Sequence, residues 1–219
     1  PGTEAGHAGT GSEYFVTSPT RVISLPPDAD PSTYIMCQPL GTVLYGIQRL
    51  GNLMGKTVAI LGQGVIGLMF TQLISRMGAS SIITIDHHDY RLRQSALHGA
   101  TLTLNPYNED VVQAVKDSTQ GVGVDLVIEA AGHPETINQV AEIVRLYGTI
   151  LLFGIPEEPI LNLNYDKLIR KQATIIPSVS SSGSDPVQCI KDAVDLVAQG
   201  HIDVSWLITH RMSFSEAAR

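Results

Sequence analysis

A chain of 219 residues, 43% hydrophobic and 16% charged, is long enough to bury a sizeable core and has the composition of an ordinary globule, not of a disordered segment. Its net charge of −7 is spread along the chain, so no basic patch asks for nucleic acid or an anionic membrane surface. Two cysteines, Cys37 and Cys189, are too few for a disulfide framework or a four-cysteine zinc lobe; the longest apolar runs are strand-sized, and with no charged-then-apolar leader a cytoplasmic location is expected.

Residues 1–30 are rich in Gly, Ser, Thr and Pro, with short strand-like runs at Tyr14-Phe15-Val16 and Val22-Ile23 and no core of their own. Asp28-Ala-Asp-Pro-Ser-Thr-Tyr then offers helix-start chemistry, and two helical stretches follow, the second over about Gly41–Leu50. From Lys56 the pattern becomes regular. Strands are predicted at Thr57–Leu61, Ser81–Ile85, Leu102–Leu104, Asp125–Glu129, Thr149–Phe153 and Ala173–Ile176. Helices are predicted between them at Val65–Met77, Tyr90–Leu97, Glu109–Ser118, Pro134–Leu146 and Tyr165–Arg170, with a further one over Asp185–Gln199. Continuous Val/Ile/Leu strands alternating with helices call for a parallel sheet covered on both faces. The expected fold is therefore α/β, a doubly wound six-stranded parallel sheet of order 3-2-1-4-5-6.

The first predicted strand runs straight into Gly62-Gln63-Gly64-Val65-Ile66-Gly67 and a helix. In that setting Gly62 makes the tight turn, Gly64 admits the pyrophosphate of a dinucleotide, and Gly67 lets helix pack on strand. The amides of Val65 and Ile66 would face the phosphates with the positive end of the helix dipole behind them. Asp86, nineteen residues beyond Gly67, ends the second strand. A carboxylate there can accept the ribose hydroxyls of NAD and repel the 2′-phosphate of NADP. By topology the ends of the later strands, at Ala131-Gly132, Phe153-Gly154-Ile155 and Ser178, are where the nicotinamide half would lie. Of the seven histidines, His87 and His88 are adjacent, so their side chains should diverge; no metal site is expected in this chain. Ser213-x-x-Glu216 reads as a capping box.

These motifs, in this order, resemble the zinc-type medium-chain alcohol and polyol dehydrogenases, including the sorbitol and threonine dehydrogenases. GSEYFV at 11–16 is similar to the family's G-x-A-E-Y segment, and QPLGTVLYGIQRLG at 38–51 to the helix before its nucleotide domain. GKTVAILGQGVIGLMFTQLISRMGA, IDHHDYRL, HGAT, VDLVIEAAG, GTILLFGI and LITHRMSFSEAA continue the likeness. The resemblance implies NAD as cofactor, with Arg91 against its adenosine end, and an alcohol as small-molecule substrate. It also implies zinc in the intact protein, and a homodimer or homotetramer without nucleic-acid or membrane partners. Most of the family's GroES-like catalytic domain is expected to be missing from this chain. Residues 1–30 are expected to be its mostly-β remnant, 31–200 the NAD-binding Rossmann domain and 201–219 the start of the return to the catalytic domain. Catalytic residues are not identified, and the chain as given is expected to bind NAD without turning over alcohol. Gln38 stands where many relatives have a glutamate near the zinc, and Cys37 beside it reads as a small core residue. Two other readings stay open. Gln38 and the lack of a Cys-rich lobe favour a zinc-free quinone or enone reductase of the same superfamily, against which Asp86 speaks. A non-catalytic NAD-sensing domain is disfavoured by the likeness over 11–51.

Overall fold

Strand β1 (Thr57–Leu61) is apolar after its first residue, and every residue after Thr57 is buried. Such a strand has to be covered on both faces. The computed structural model describes residues 14, 16–158, 160–180, 187–213 and 216. Around β1 lie β2 (Ser81–Ile85), β3 (Leu102–Leu104), β4 (Val124–Glu129), β5 (Val144–Leu152) and β6 (Thr174–Pro177). The order is β3-β2-β1-β4-β5-β6, with every pair parallel, as the sequence predicts. The chain winds outward from β1 to β3 and then returns to β4 on the other side of β1. The carboxyl ends of β1 and β4 therefore flank a crevice at the switch point.

Period-two alternation splits β1 between two cores. Val58 and Ile60 join the face covered by α2 (Cys37–Gln48), α3 (Val65–Arg76) and α8 (Gln188–Ala198); Ala59 and Leu61 join the face covered by α5 (Val111–Ser118) and α6 (Pro134–Ile143). Helix α2 buries Cys37, Leu40, Val43 and Ile47, one stripe at helical spacing. It crosses α8 so closely that a Cβ on Gly41 would lie 2.8 Å from the Ile190 backbone. Each fully buried chain such as Phe70 or Leu40 contributes about 1.5–3 kcal/mol by leaving water. Among the described residues the remaining α-helices are α1 (Pro31–Tyr34), α4 (Asp89–Leu97) and α7 (Tyr165–Arg170). Asp30 caps α1, its carboxylate accepting the Ser32 and Thr33 amides.

Several expected boundaries shift. Neither Tyr14 nor Val16 is in a strand, and Val22-Ile23 is not one either; Val16 is 96% exposed, so no described residue covers it. Phe15 lies outside the described residues, as do Asp185 and Pro186 ahead of α8. Helix α6 stops at Ile143 instead of Leu146, because Val144 is already extended and pairs with Val124. The register then slips, Leu126 pairing with Thr149, so Arg145 to Gly148 bulge out of β5. Two contacts hold the bulge: Arg145 Nε reaches Asp125 at 2.8 Å, and Tyr147, in the left-handed region at φ 56°, donates its amide to Lys171 O. At the far end the Glu216 carboxylate accepts the Ser213 amide, as a capping box requires.

Candidate dinucleotide site

The three glycines after β1 are there for three different reasons. Gly62 has φ +89° and donates its amide to Ile85 O, binding the turn to the end of β2. Gly64 is extended and caps α3, and a Cβ built on it meets nothing within 4 Å: the space in front of it is open. Gly67 packs so tightly under the turn that a Cβ would overlap the Gly62 carbonyl oxygen.

Asp86 stands opposite the turn with a side chain only 3% exposed. One carboxylate oxygen accepts the Gln63 amide at 2.8 Å; the other accepts the His88 amide at 2.8 Å and lies 3.0 Å from His88 Nδ1. Arg91 Nη1 is 3.4 Å away. Burial alone would raise this carboxyl, but the two amides, the His88 ring and the Arg91 charge outweigh it and hold it below the usual aspartate range. The acid is thus tied through Gln63 to the glycine turn itself. Gln63 is held in turn, fully buried, by Thr71 Oγ1 donating to its side-chain oxygen at 2.9 Å.

The cleft between turn and acid measures about 560 Å³, and its walls include Gly62, Gly64, Asp86, Arg91 and Ala131. A hollow of about 170 Å³, lined also by Gly132 and Ile155, adjoins it through Ala131 and His133. Of the other expected site residues, Val65 lines a third hollow, behind Arg91. Ile66 packs against the core and Gly67 lies beneath the turn. The Phe153 ring packs edge-on against Phe70, centroids 5.0 Å apart. Gly154 sits against Glu129. Ser178, just past β6, is buried with no hydrogen-bond partner for its Oγ among the described residues.

Sequence reasoning missed Glu129, which ends β4 with no exposed surface at all. Its Oε1 accepts the Ala131 amide at 3.0 Å, the Gly132 amide at 2.8 Å and the Thr136 hydroxyl at 2.8 Å. It also missed Gln63, and Thr136 on the cleft wall. A strand-end acid was legible in VDLVIE, as in IITID; its contacts were not.

The expected divergence of His87 and His88 does not occur. Their ring centroids are 4.2 Å apart, and with Asp86 they bring three ligand atoms within 4.8 Å of one another. Both Asp86 oxygens are already engaged, and the Arg91 guanidinium beside them opposes a cation. Among the described residues no other group of three His, Cys, Asp or Glu comes within ligand reach. Cys37 is buried in the core, its thiol pushed up to about 11 by burial, and Gln38 beside it is exposed. The described residues therefore do not fit a catalytic zinc. They do fit a dinucleotide: the open space before Gly64 has room for a pyrophosphate, and Asp86, which lines the same cleft, would accept ribose hydroxyls on the lone pairs its amide partners leave free.

A doubly wound parallel sheet with a glycine turn and a strand-end acid at its switch point is the architecture of a dinucleotide-binding domain. The family model described as zinc-binding dehydrogenase matches residues 65–199, and the chain belongs to that family. It is similar to the L-threonine 3-dehydrogenase of Bacillus subtilis (strain 168), 32% identical over 95% of this chain and 59% of the relative. It also matches the sorbitol dehydrogenase of Halalkalibacterium halodurans, 25% identical over 95% and 60%. Among solved structures, galactitol-1-phosphate dehydrogenase from Escherichia coli matches with a TM-score of 0.83 and 28% identity, over 93% of this chain and 60% of that one. A zinc-binding dehydrogenase from Sinorhizobium meliloti 1021 bound to NADP matches with a TM-score of 0.79 and 33% identity, over 90% and 57%. The chain spans about 59–60% of the length of the curated relatives named here. Among the described residues no helix is long and apolar enough to cross a membrane.

Proposed function

We propose that this chain holds NAD in the cleft between Gly64 and Asp86, and that it serves a dehydrogenase that moves a hydride between a secondary alcohol or polyol and the nicotinamide. The observation that carries the reading is the Asp86 carboxylate, buried yet open to the cleft and fixed at 2.8 Å from the Gln63 amide inside the glycine turn. Acceptors for a ribose diol and a seat for a pyrophosphate are thereby held in one rigid unit. Gly62, Gly64, Val65, Ile66 and Gly67 would form the phosphate turn and Asp86 and Arg91 the adenosine end. Ala131, Gly132, Phe153, Gly154, Ile155 and Ser178 would line the nicotinamide end. A bound nicotinamide supplies the hydride acceptor; the residues of this chain bind and orient it. The names of the threonine and sorbitol relatives favour a polar alcohol as substrate. The division into 1–30, 31–200 and 201–219, zinc on residues beyond those described, a homodimer or homotetramer, and a cytoplasmic location belong to the same reading.

The NADP in the Sinorhizobium relative bears on the cofactor alone and favours a second reading in that respect, a chain that takes the phosphorylated cofactor with Arg91 and His88 facing the 2′-phosphate, as a zinc-free quinone or enone reductase of the same superfamily would. Titrating the chain with NAD and NADP separates the two. A screen of L-threonine, polyols and secondary alcohols for NADH formation with zinc added then completes the test. Saturable binding with NAD preferred, and no alcohol turnover, supports cofactor binding as this chain's share of the work. Tighter NADP binding with enone reduction favours the second reading, and no binding of either refutes both.

A further inference from the structure

Glu129 is the one acid at the strand ends with no exposed surface, and one of its oxygens is unused. Oε1 accepts the Ala131 and Gly132 amides and lies 2.8 Å from the Thr136 hydroxyl, which also reaches the His133 carbonyl oxygen, while Oε2 is buried without a hydrogen-bond partner among the described residues. A Cβ on Gly154 would lie 2.5 Å from Oε2, so the residue after Phe153 is glycine to make room for the carboxylate and the Gly132 backbone. The Glu129 carbonyl also accepts the Phe153 and Gly154 amides, at 2.9 and 2.8 Å. One residue thus fixes the ends of both β4 and β5. Two backbone amides aimed at one carboxylate oxygen are the donors that match a negative charge held there.

We propose that Glu129 tunes the site toward the oxidised cofactor, its buried negative charge beneath Gly132 and Gly154 favouring the cationic nicotinamide ring over the neutral reduced one. The proposal rests on the dinucleotide reading above and on the nicotinamide lying over these two glycines. Glu157 and Glu158 border the same hollow, but both are exposed and water screens them. A charge in a dry, fixed position acts through an effective dielectric of about 20, so across the width of a backbone layer its effect on a cation is on the order of tenfold in affinity. Glu129 acts as a positioning and electrostatic residue and takes no part in bond making.

The test measures dissociation constants for NAD, NADH and ADP-ribose, which lacks the ring, on the wild-type chain, Glu129→Gln and Glu129→Asp. Glu129→Gln is expected to raise the ratio Kd(NAD)/Kd(NADH) about tenfold, with ADP-ribose affected far less. Glu129→Asp keeps the charge and should keep the wild-type ratio even if all three ligands bind more weakly. An unchanged ratio in Glu129→Gln overturns the proposal. Should that variant not fold, the wild-type ratio is followed with salt. A ratio that stays constant supports the buried charge, and one that drifts as salt screens exposed acids assigns the effect to Glu157 and Glu158 and overturns it. Failure of the wild type to bind ADP-ribose overturns the dinucleotide reading itself, and this proposal with it.

Discussion

Replacing Asp86 by Asn removes one negative charge from a side chain that is 3% exposed while leaving its shape. A carboxylate and a 2′-phosphate charge held about 5 Å apart repel by about 3 kcal/mol at an effective dielectric of about 20. The Arg91 guanidinium, 3.4 Å from the carboxylate, offsets part of this. About 2 kcal/mol of discrimination remains, roughly thirtyfold in affinity. The substitution also has a structural cost. The Gln63 and His88 amides each donate to the carboxylate at 2.8 Å, and asparagine offers one oxygen where aspartate offers two. One buried amide loses its acceptor, which costs about 1–3 kcal/mol of stability. Calorimetric titration should show the wild type preferring NAD by roughly thirtyfold and the variant within about threefold, with a lowered melting temperature. If the variant melts early but keeps the wild-type preference, Asp86 is structural and does not face the 2′ position.

Three further outcomes follow from the same contacts. Gly67→Ala drives a methyl into the Gly62 carbonyl, so α3 and the turn must separate; a loss of more than about 2 kcal/mol in a denaturant titration is expected, and a stable variant would show that the turn can yield. Asp86, Asp125 and Asp203 all have carboxyls held below their ordinary 3.8; burial is the largest influence on the first two and opposes this, while hydrogen bonds from Ser205 lead for the third. Depressed folded values mean stability that is present above about pH 4 and lost as pH falls through them, so thermal melts should drop steeply only below that point, and a flat acid limb would contradict it. Phe153→Ala removes the ring packed on Phe70 and should cost about 3 kcal/mol while leaving ADP-ribose affinity nearly unchanged; a selective loss of ADP-ribose binding would place that ring in the adenosine site.

The sheet was legible because its strands are continuous apolar runs set between Gly or Asp punctuation; β1, β2 and β3 fall on their predicted residues. The end of α6 was not, since Val140, Ile143, Val144 and Leu146 suit a helix face as well as a strand. What decides there is the Arg145–Asp125 contact with a distant strand. Asp86 could be picked out by its spacing from the glycine turn. Glu129 could not: its importance depends on Gly154 and Thr136, which approach it only in the folded chain. The His87–His88 contact was hidden for a local reason. Asp86 draws the His88 amide and ring back upon itself, so the two imidazoles share one side instead of alternating.

The central claim, that NAD seats its phosphates in the space before Gly64, is tested most directly by titrating NAD into the wild-type chain and Gly64→Val side by side. The backbone of Gly64 is extended and suits any residue, and nothing within 4 Å would clash with a Cβ, so the variant should keep its fold and melting temperature. One-site, saturable binding to the wild type and none to Gly64→Val is the predicted result. Equal binding by both proteins, or none by the wild type, would contradict it.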